Sequence, residues 1–443
     1  MTTDPSTRNR MIYALALPIV GGMISQNVLN LVDTGMVGRL GDDALAGVGV
    51  GGFANFTGVA TVMGLSAGVQ AIAARRYGAG DTENTAEPLN AALLISILIA
   101  LPLSILLVWA APYFFPYLNS DPAVVEHGVP YLQVRMLAMT AVGFNFAFRG
   151  YWNAINLPKL YLRTLVTMHL LNIVLNWMFI FGNAGAPELG ALGAGLASAI
   201  ATFGGAVYYV LLGMKYARPH GFLRQKPSRK SIKAVFKLAA PASFMQVTFA
   251  AGLTTLFWII GQVGTDATAA ATVLINIMLV AILPGVAFGL AAASLVGQAL
   301  GRNDKDDAMQ WGWDVVRVGM LTLGALGLPM MLFPEQILGL FLENPDTVAL
   351  AKLPLRLYGG IMAIDAVSLI IMNALHGAGA SAAVMRISVG LQWGLFLPTA
   401  YVAGPVLGGG LLAIWSVQIG YRIIQTVVFA TTWKRGNWQS IEV

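Results

Sequence analysis

The chain has 443 residues, 57% of them hydrophobic and only 10% charged, with a net charge of +6 and a mean hydropathy of +0.71. A soluble domain carries roughly 25% charged residues, so most of this surface must face something other than water. The absence of Cys excludes disulfides, thiolate metal sites and cysteine nucleophiles, and the lack of a P-loop pattern excludes transport powered by this chain's own ATP hydrolysis.

A helix needs about 20 mostly apolar residues to cross the hydrocarbon core. In chain order the sequence predicts spans over 11–38, 44–73, 88–112, 123–148, 160–182, 190–214, 233–262, 268–297, 309–332, 347–374, 383–404 and 409–431. The first is too long for the apolar core of a cleaved leader, so it is expected to stay as a membrane helix. Turn and charge signals mark the breaks, among them Gly41-Asp42-Asp43, Gly78-Ala79-Gly80-Asp81 and Gly301-Arg302-Asn303-Asp304. One set of loops and helix ends holds nearly all the basic residues, from Arg8, Arg10, Arg75 and Arg76 through the dense run Lys215–Lys237 to Lys434 and Arg435. The opposite set holds little beyond Arg39, Lys352 and Arg356. The positive-inside rule then places both termini in the cytoplasm of a bacterial inner membrane. The basic run is read as a connector between halves, not as a nucleic-acid surface.

The chain repeats itself. At an offset of 223 residues (241 minus 18), Pro18 falls on Pro241, Gly38 and Gly41 on Gly261 and Gly264, Asp43-Ala44 on Asp266-Ala267, and Gly78 and Asp81 on Gly301 and Asp304. An offset of 224 pairs Pro130 with Pro354 and Ala154 with Ala378 more weakly. Six helices per repeat is an even number, so both halves insert the same way round. The expected fold is an all-α membrane protein of twelve transmembrane helices in two six-helix lobes related by a pseudo-two-fold axis along the membrane normal. The lobes are taken as 1–214 and 233–443, with 215–232 as a cytoplasmic linker. In transporters of that plan the substrate sits between the halves.

Charged side chains inside a bilayer cost several kcal/mol, roughly 2.5–3.5 on insertion scales. Only Asp33 and Asp365 among the acids lie well inside the predicted spans. Gln26, Asn30 and Asp33 stand at i, i+4 and i+7 of the first helix, on one face. The fifth helix repeats the pattern with His169, Asn172 and Asn176, and the sixth adds Ser198 and Thr202. If these faces converge they form a pocket of one carboxylate with amide and hydroxyl oxygens, suited to Na⁺ or to a proton carried on Asp33. Any single Asn or Ser there could equally be an interhelical hydrogen bond, worth about 0.6 kcal/mol. Asp365 shares a face with Tyr358 and Met362. Arg422, between Gln418 and Gln425 on the last helix, is either a counter-ion or a snorkelling side chain, and Arg135 in the fourth helix is similar. Pro18 removes a backbone hydrogen bond and marks a hinge.

Other signals are weaker. Gly47, Gly49 and Gly52 spell a dinucleotide-like pattern but open an apolar helix, so close packing is the better reading. Asp304, Asp306 and Asp307 resemble a metal cluster but fit a solvated turn or helix start.

The stretches Asp33-Thr34-Gly35-Met36-Val37-Gly38 and Leu45-Ala46-Gly47-Val48 resemble the first-helix motif of the multidrug and toxic compound extrusion (MATE) family. Asn172 to Trp177 with Pro187-Glu188-Leu189-Gly190, and Asp365 with Asn373-Ala374-Leu375-His376-Gly377-Ala378-Gly379, are similar to later parts of that family. The resemblance covers the whole chain. It implies an antiporter that exports lipophilic organic cations in exchange for H⁺ or Na⁺, with no cofactor and no enzymatic activity, working as a monomer in the bilayer. It places Asp33, Asn172, Asn176 and Ser198 at the cation site. It places Gln26 near the substrate path and Asp365 at the tenth-helix acid, and the shared helix faces add Asn30, His169 and Thr202, with Gln246, to the expected substrate cleft. Gln246 stands where one branch carries a glutamate, which shifts weight to Asp33. The rivals are a flippase of lipid-linked oligosaccharides from the same superfamily and, from another class, a membrane-embedded enzyme. The first would want a cleft lined with Arg or Lys, the second clustered acids or His at the lipid–water boundary, and neither is seen.

Overall fold

The computed structural model describes residues 4–442. Every regular element among them is helical, and the long ones fall into twelve rods, with short helical pieces such as Pro334–Leu338 between them. These are α1 (Pro5–Gly38), α2 (Asp42–Gly78), α3 (Thr82–Leu118), α4 (Pro122–Leu137 and Met139–Ala154), α5 (Pro158–Phe181) and α6 (Gly190–Tyr216). The second half continues with α7 (Arg229–Gly261), α8 (Thr265–Gly301), α9 (Lys305–Leu332), α10 (Pro345–Gly377), α11 (Ser381–Leu391, continued by turns to Val406) and α12 (Gly410–Arg435). The predicted spans fall on these rods one for one, most ending a few residues short of them.

Ten of the rods are, among the described residues, long and apolar enough to cross a membrane. Several rods are interrupted, α2 at Gly64 and α8 at Ile282 among them. Ala138 (φ −80°, ψ 0°) divides α4, and α11 contains π turns at Gln392–Phe396 and Val402–Val406. A third π turn, Ser96–Ala100, lies in α3. Pro102, Pro398 and Pro405 lie in or just after these turns. A proline has no N–H for the i−4 carbonyl, and a π turn shifts the bonding pattern around the gap.

The internal repeat is written into the backbone. Gly41 and Gly264 adopt positive φ (108° and 149°), and so do Gly80 and Asn303 (79° and 60°). The Asp81 N–H donates to the Arg76 carbonyl at 3.0 Å, and the Asp304 N–H donates to the Ala299 carbonyl at 3.0 Å. All of these pairs keep the offset of 223. At the ends of α4 and α10 the offset of 224 is one position out. Leu157 N–H donates to Trp152 and Ala380 N–H to Leu375, while Asn156 and Gly379 share positive φ (63° and 87°), so the offset is 223 there too.

Two compact units emerge, and their borders differ from the division at residues 214 and 233. One contains the chain up to Leu17 together with Thr248 onward; the other is Pro18–Val247. The borders fall beside or within a turn or two of Pro18 and Pro241, inside α1 and α7. In the first unit, Arg8 at the start of α1 is buried. Its Nη1 reaches Asp307 at 2.6 Å, it pairs with Asp314, and it stacks over Trp311 at 3.6 Å. Asp304 caps α9 by accepting from the Asp307 N–H at 2.9 Å, so this acidic group begins a helix as expected. Asp307, however, is an ion-pair partner of Arg8 and not simply a solvated acid. In the second unit, the beginning of α7 lies tight against α2: a Cβ at Gly64 would sit 2.2 Å from the Ala239 carbonyl oxygen. Gly47 packs against α4, where a Cβ would come within 2.9 Å of Gly128 N, whereas Gly49 and Gly52 have open space.

Candidate functional site

In the unit Pro18–Val247, α1, α5 and α6 bring most of the polar residues singled out in the sequence into two connected sets. Asn176, buried on α5, donates through Nδ2 to Asp33 Oδ1 at 2.6 Å and to Asn172 Oδ1 at 2.9 Å. Asn172 in turn donates to Ser198 Oγ on α6 at 3.0 Å. The four residues form one relay of carboxylate, two amides and a hydroxyl across three helices. Thr202 donates back to the Ser198 carbonyl at 2.7 Å and so steadies that turn.

The second set lies nearer the middle of α1. His169 Nε2 meets Gln26 Oε1 at 3.1 Å, and its Nδ1 meets Ser25 Oγ at 2.7 Å. Gln26 Oε1 can only accept, so Nε2 carries the proton and Nδ1 accepts from the Ser25 hydroxyl. Gln26 then donates to Asn30 Oδ1 at 3.1 Å. Seven residues separate Gln26 from Asp33, about 10 Å along the helix.

The donor chemistry suits a small hard cation. Asp33 and Asn172 offer oxygens, and Asn176 Oδ1 is buried without a hydrogen-bond partner. A buried amide oxygen with no protein partner, beside a carboxylate, can coordinate a hard cation. Among the described residues no group of three or more His, Asp or Glu gathers into a metal cluster. The guanidinium of Arg135, on α4, is the nearby positive charge that acts on Asp33.

The remaining candidates lie elsewhere. Gln246, half-buried on α7, faces Met63 with Nε2 at 3.9 Å from the sulfur. Asp365 belongs to the other unit. It is 1% exposed and accepts from Arg422 Nη2 at 2.6 Å and from Ser368 Oγ at 3.2 Å. Arg422 Nη1 donates to Gln425 at 3.1 Å. The counter-ion alternative for Arg422 therefore holds, and Asp365 has a fixed cationic partner. Two participants escaped the sequence reading. Ser25 lies off the face defined by Gln26, Asn30 and Asp33, so helical spacing could not select it. Arg8 lies before the first predicted span, and nothing local reveals that its partners are on α9.

The MatE family model matches this chain twice, over residues 18–178 and 241–402. This chain belongs to the MatE family. Both matches begin at the paired prolines, in register with the backbone repeat. A probable multidrug resistance protein NorM of Neisseria meningitidis serogroup B is 26% identical over 423 residues, covering 94% of this chain and 92% of its own length. The multidrug resistance protein NorM of Vibrio cholerae is 27% identical over 401 residues, covering 89% and 87%. Among solved structures, a MOP superfamily transporter from Pyrococcus furiosus superposes with a TM-score of 0.89 at 20% identity, covering 99% and 98%. An outward-facing multidrug resistance MATE family transporter gives 0.87 at 21% identity, covering 98% and 96%. At those identities the likeness establishes the fold. The MatE chain is thus a multi-pass membrane transporter of twelve helices.

Proposed function

We propose that this MatE protein exports lipophilic organic cations from the cytoplasm of a bacterium by alternating access, in exchange for H⁺ or Na⁺ bound at Asp33. The single observation that carries the reading is the relay Asp33–Asn176–Asn172–Ser198, with its unsatisfied buried oxygen on Asn176. The curated relatives named multidrug resistance protein NorM support the substrate class.

The chemistry follows from charge. With Asp33 ionised, Asn176 turns its amide N–H towards the carboxylate. A proton or Na⁺ neutralises Asp33, and the charge-assisted hydrogen bond weakens to an ordinary one. Asn176 and Asn172 then repack, and α1 bends near Pro18, where the missing backbone hydrogen bond makes bending cheap. The bound organic cation loses its nearest negative partner and leaves.

The test uses purified protein in liposomes, with ethidium movement followed under a pH gradient or a Na⁺ gradient imposed separately. Movement driven by one gradient identifies the coupling ion. Asp33→Asn removes the charge and keeps the shape. A charged hydrogen bond is worth about 1.5–3 kcal/mol, so gradient-driven efflux should fall roughly 10- to 100-fold. A folded Asp33→Asn protein that exports at the wild-type rate would overturn the assignment. No ethidium movement under either gradient would favour a lipid-linked substrate instead.

A further inference from the structure

An open groove of ≈ 330 Å³ runs between α3 and the beginning of α7, within the unit Pro18–Val247. Its walls are Ile95, Leu98, Ile99, Ile232 and Phe236, and its only charged lining residues are Arg229 and Lys233. The α3 side is shaped by the π turn Ser96–Ala100. That turn pushes Leu98 and Ile99 outwards, to 63% and 44% exposure. On α7, Arg229 and Lys233 stand one turn apart and the exposed Phe236 a turn further in. Lys230 and Lys237 flank them. None of these four basic side chains pairs with an acid among the described residues. Both helices are long and apolar enough to cross a membrane, and the basic pair stands in the first turns of α7.

We propose that this groove is a binding site for an anionic phospholipid of the cytoplasmic leaflet, its phosphate held by Arg229 and Lys233 and one acyl chain laid against Leu98, Ile99 and Phe236. The chemistry selects the occupant. Apolar walls open to the bilayer suit an acyl chain. Two unpaired cations at the headgroup level suit a phosphate whose charge is not offset by an attached ammonium, so phosphatidylglycerol fits better than phosphatidylcholine. Basic pockets between membrane helices on the cytoplasmic side bind anionic headgroups by this same attraction.

The experiment is native mass spectrometry of the full-length protein, released from nanodiscs containing equal phosphatidylglycerol and phosphatidylcholine. Wild type should retain phosphatidylglycerol preferentially. The double variant Arg229→Gln/Lys233→Gln should lose that preference by about thirtyfold, from about fivefold per basic residue at a membrane surface. The control Lys434→Gln/Arg435→Gln removes the same charge elsewhere and should keep it. A second readout needs no variant. Phosphatidylglycerol with a diazirine in its acyl chain should label peptides containing Leu98–Ile99 or Phe236 in the wild-type protein. Equal loss in both double variants, no headgroup preference in wild type, or labelling confined to other helices would each overturn the proposal.

Discussion

At the scale of the residue, the two buried carboxylates answer the cost of membrane burial differently. Asp33 is half-buried and meets the neutral amide of Asn176, with Arg135 as the nearby charge. Asp365 is fully buried and closed against Arg422, Ser368 and, through Arg422, Gln425. A neutral amide partner leaves the Asp33 carboxylate open to a mobile cation, whereas the guanidinium at Asp365 is covalently fixed and cannot leave. Removing one member of a buried pair strands the other, at about 3–5 kcal/mol, whereas replacing both with apolar groups of like size is often neutral. Arg422→Met should therefore lower the thermal midpoint in detergent sharply, and Arg422→Met/Asp365→Leu should recover most of the loss. A double variant as unstable as the single one would show that the surrounding Gln425, Tyr421 and Tyr358 need the charges themselves.

At the scale of the element, the rods were legible because bilayer thickness sets a length that composition must meet. Their interruptions were not. Proline positions are visible, but Pro18 and Pro241 lie inside continuous helices while Pro102, Pro398 and Pro405 accompany π turns. Which outcome follows depends on what each helix packs against. The glycines divide in the same way. Gly64 and Gly49 both lie on α2 and look alike in sequence. A Cβ at Gly64 would strike the Ala239 backbone at 2.2 Å, and one at Gly49 would meet nothing within 4 Å. Gly64→Val should destabilise by about 1–3 kcal/mol or more through overpacking. Gly49→Ala should stabilise by about 0.5–1 kcal/mol through chain entropy. Thermal unfolding of the two variants in the same detergent separates them, and equal shifts would contradict the close approach of α2 and α7.

At the scale of the whole molecule, the basic residues predict the topology, and the chain's lack of Cys makes that easy to test. Lys226→Cys lies in the run between halves, and Tyr117→Cys replaces a side chain 91% exposed at the far end of α3. In intact inverted vesicles, a membrane-impermeant maleimide should label Lys226→Cys and spare Tyr117→Cys; in right-side-out cells the pattern should reverse. Labelling of both from one side would require an even number of crossings between them.

The sequence by itself determined the membrane class, the twelve spans and the 223-residue repeat, because each follows from a local property: apolar length or periodicity. It did not determine which helix supplies each partner. Ser25 joined His169, Arg422 closed on Asp365, and Arg8 crossed from α1 to Asp307 and Asp314 on α9. Those pairings join residues 57 to 306 positions apart, and helical periodicity carries no information about a neighbour beyond its own rod. The borders of the compact units were decided the same way. A chain is cut into halves by its repeat, but α1 and α7 each bury their first turns against the other half's helices, and only the packing of side chains records that.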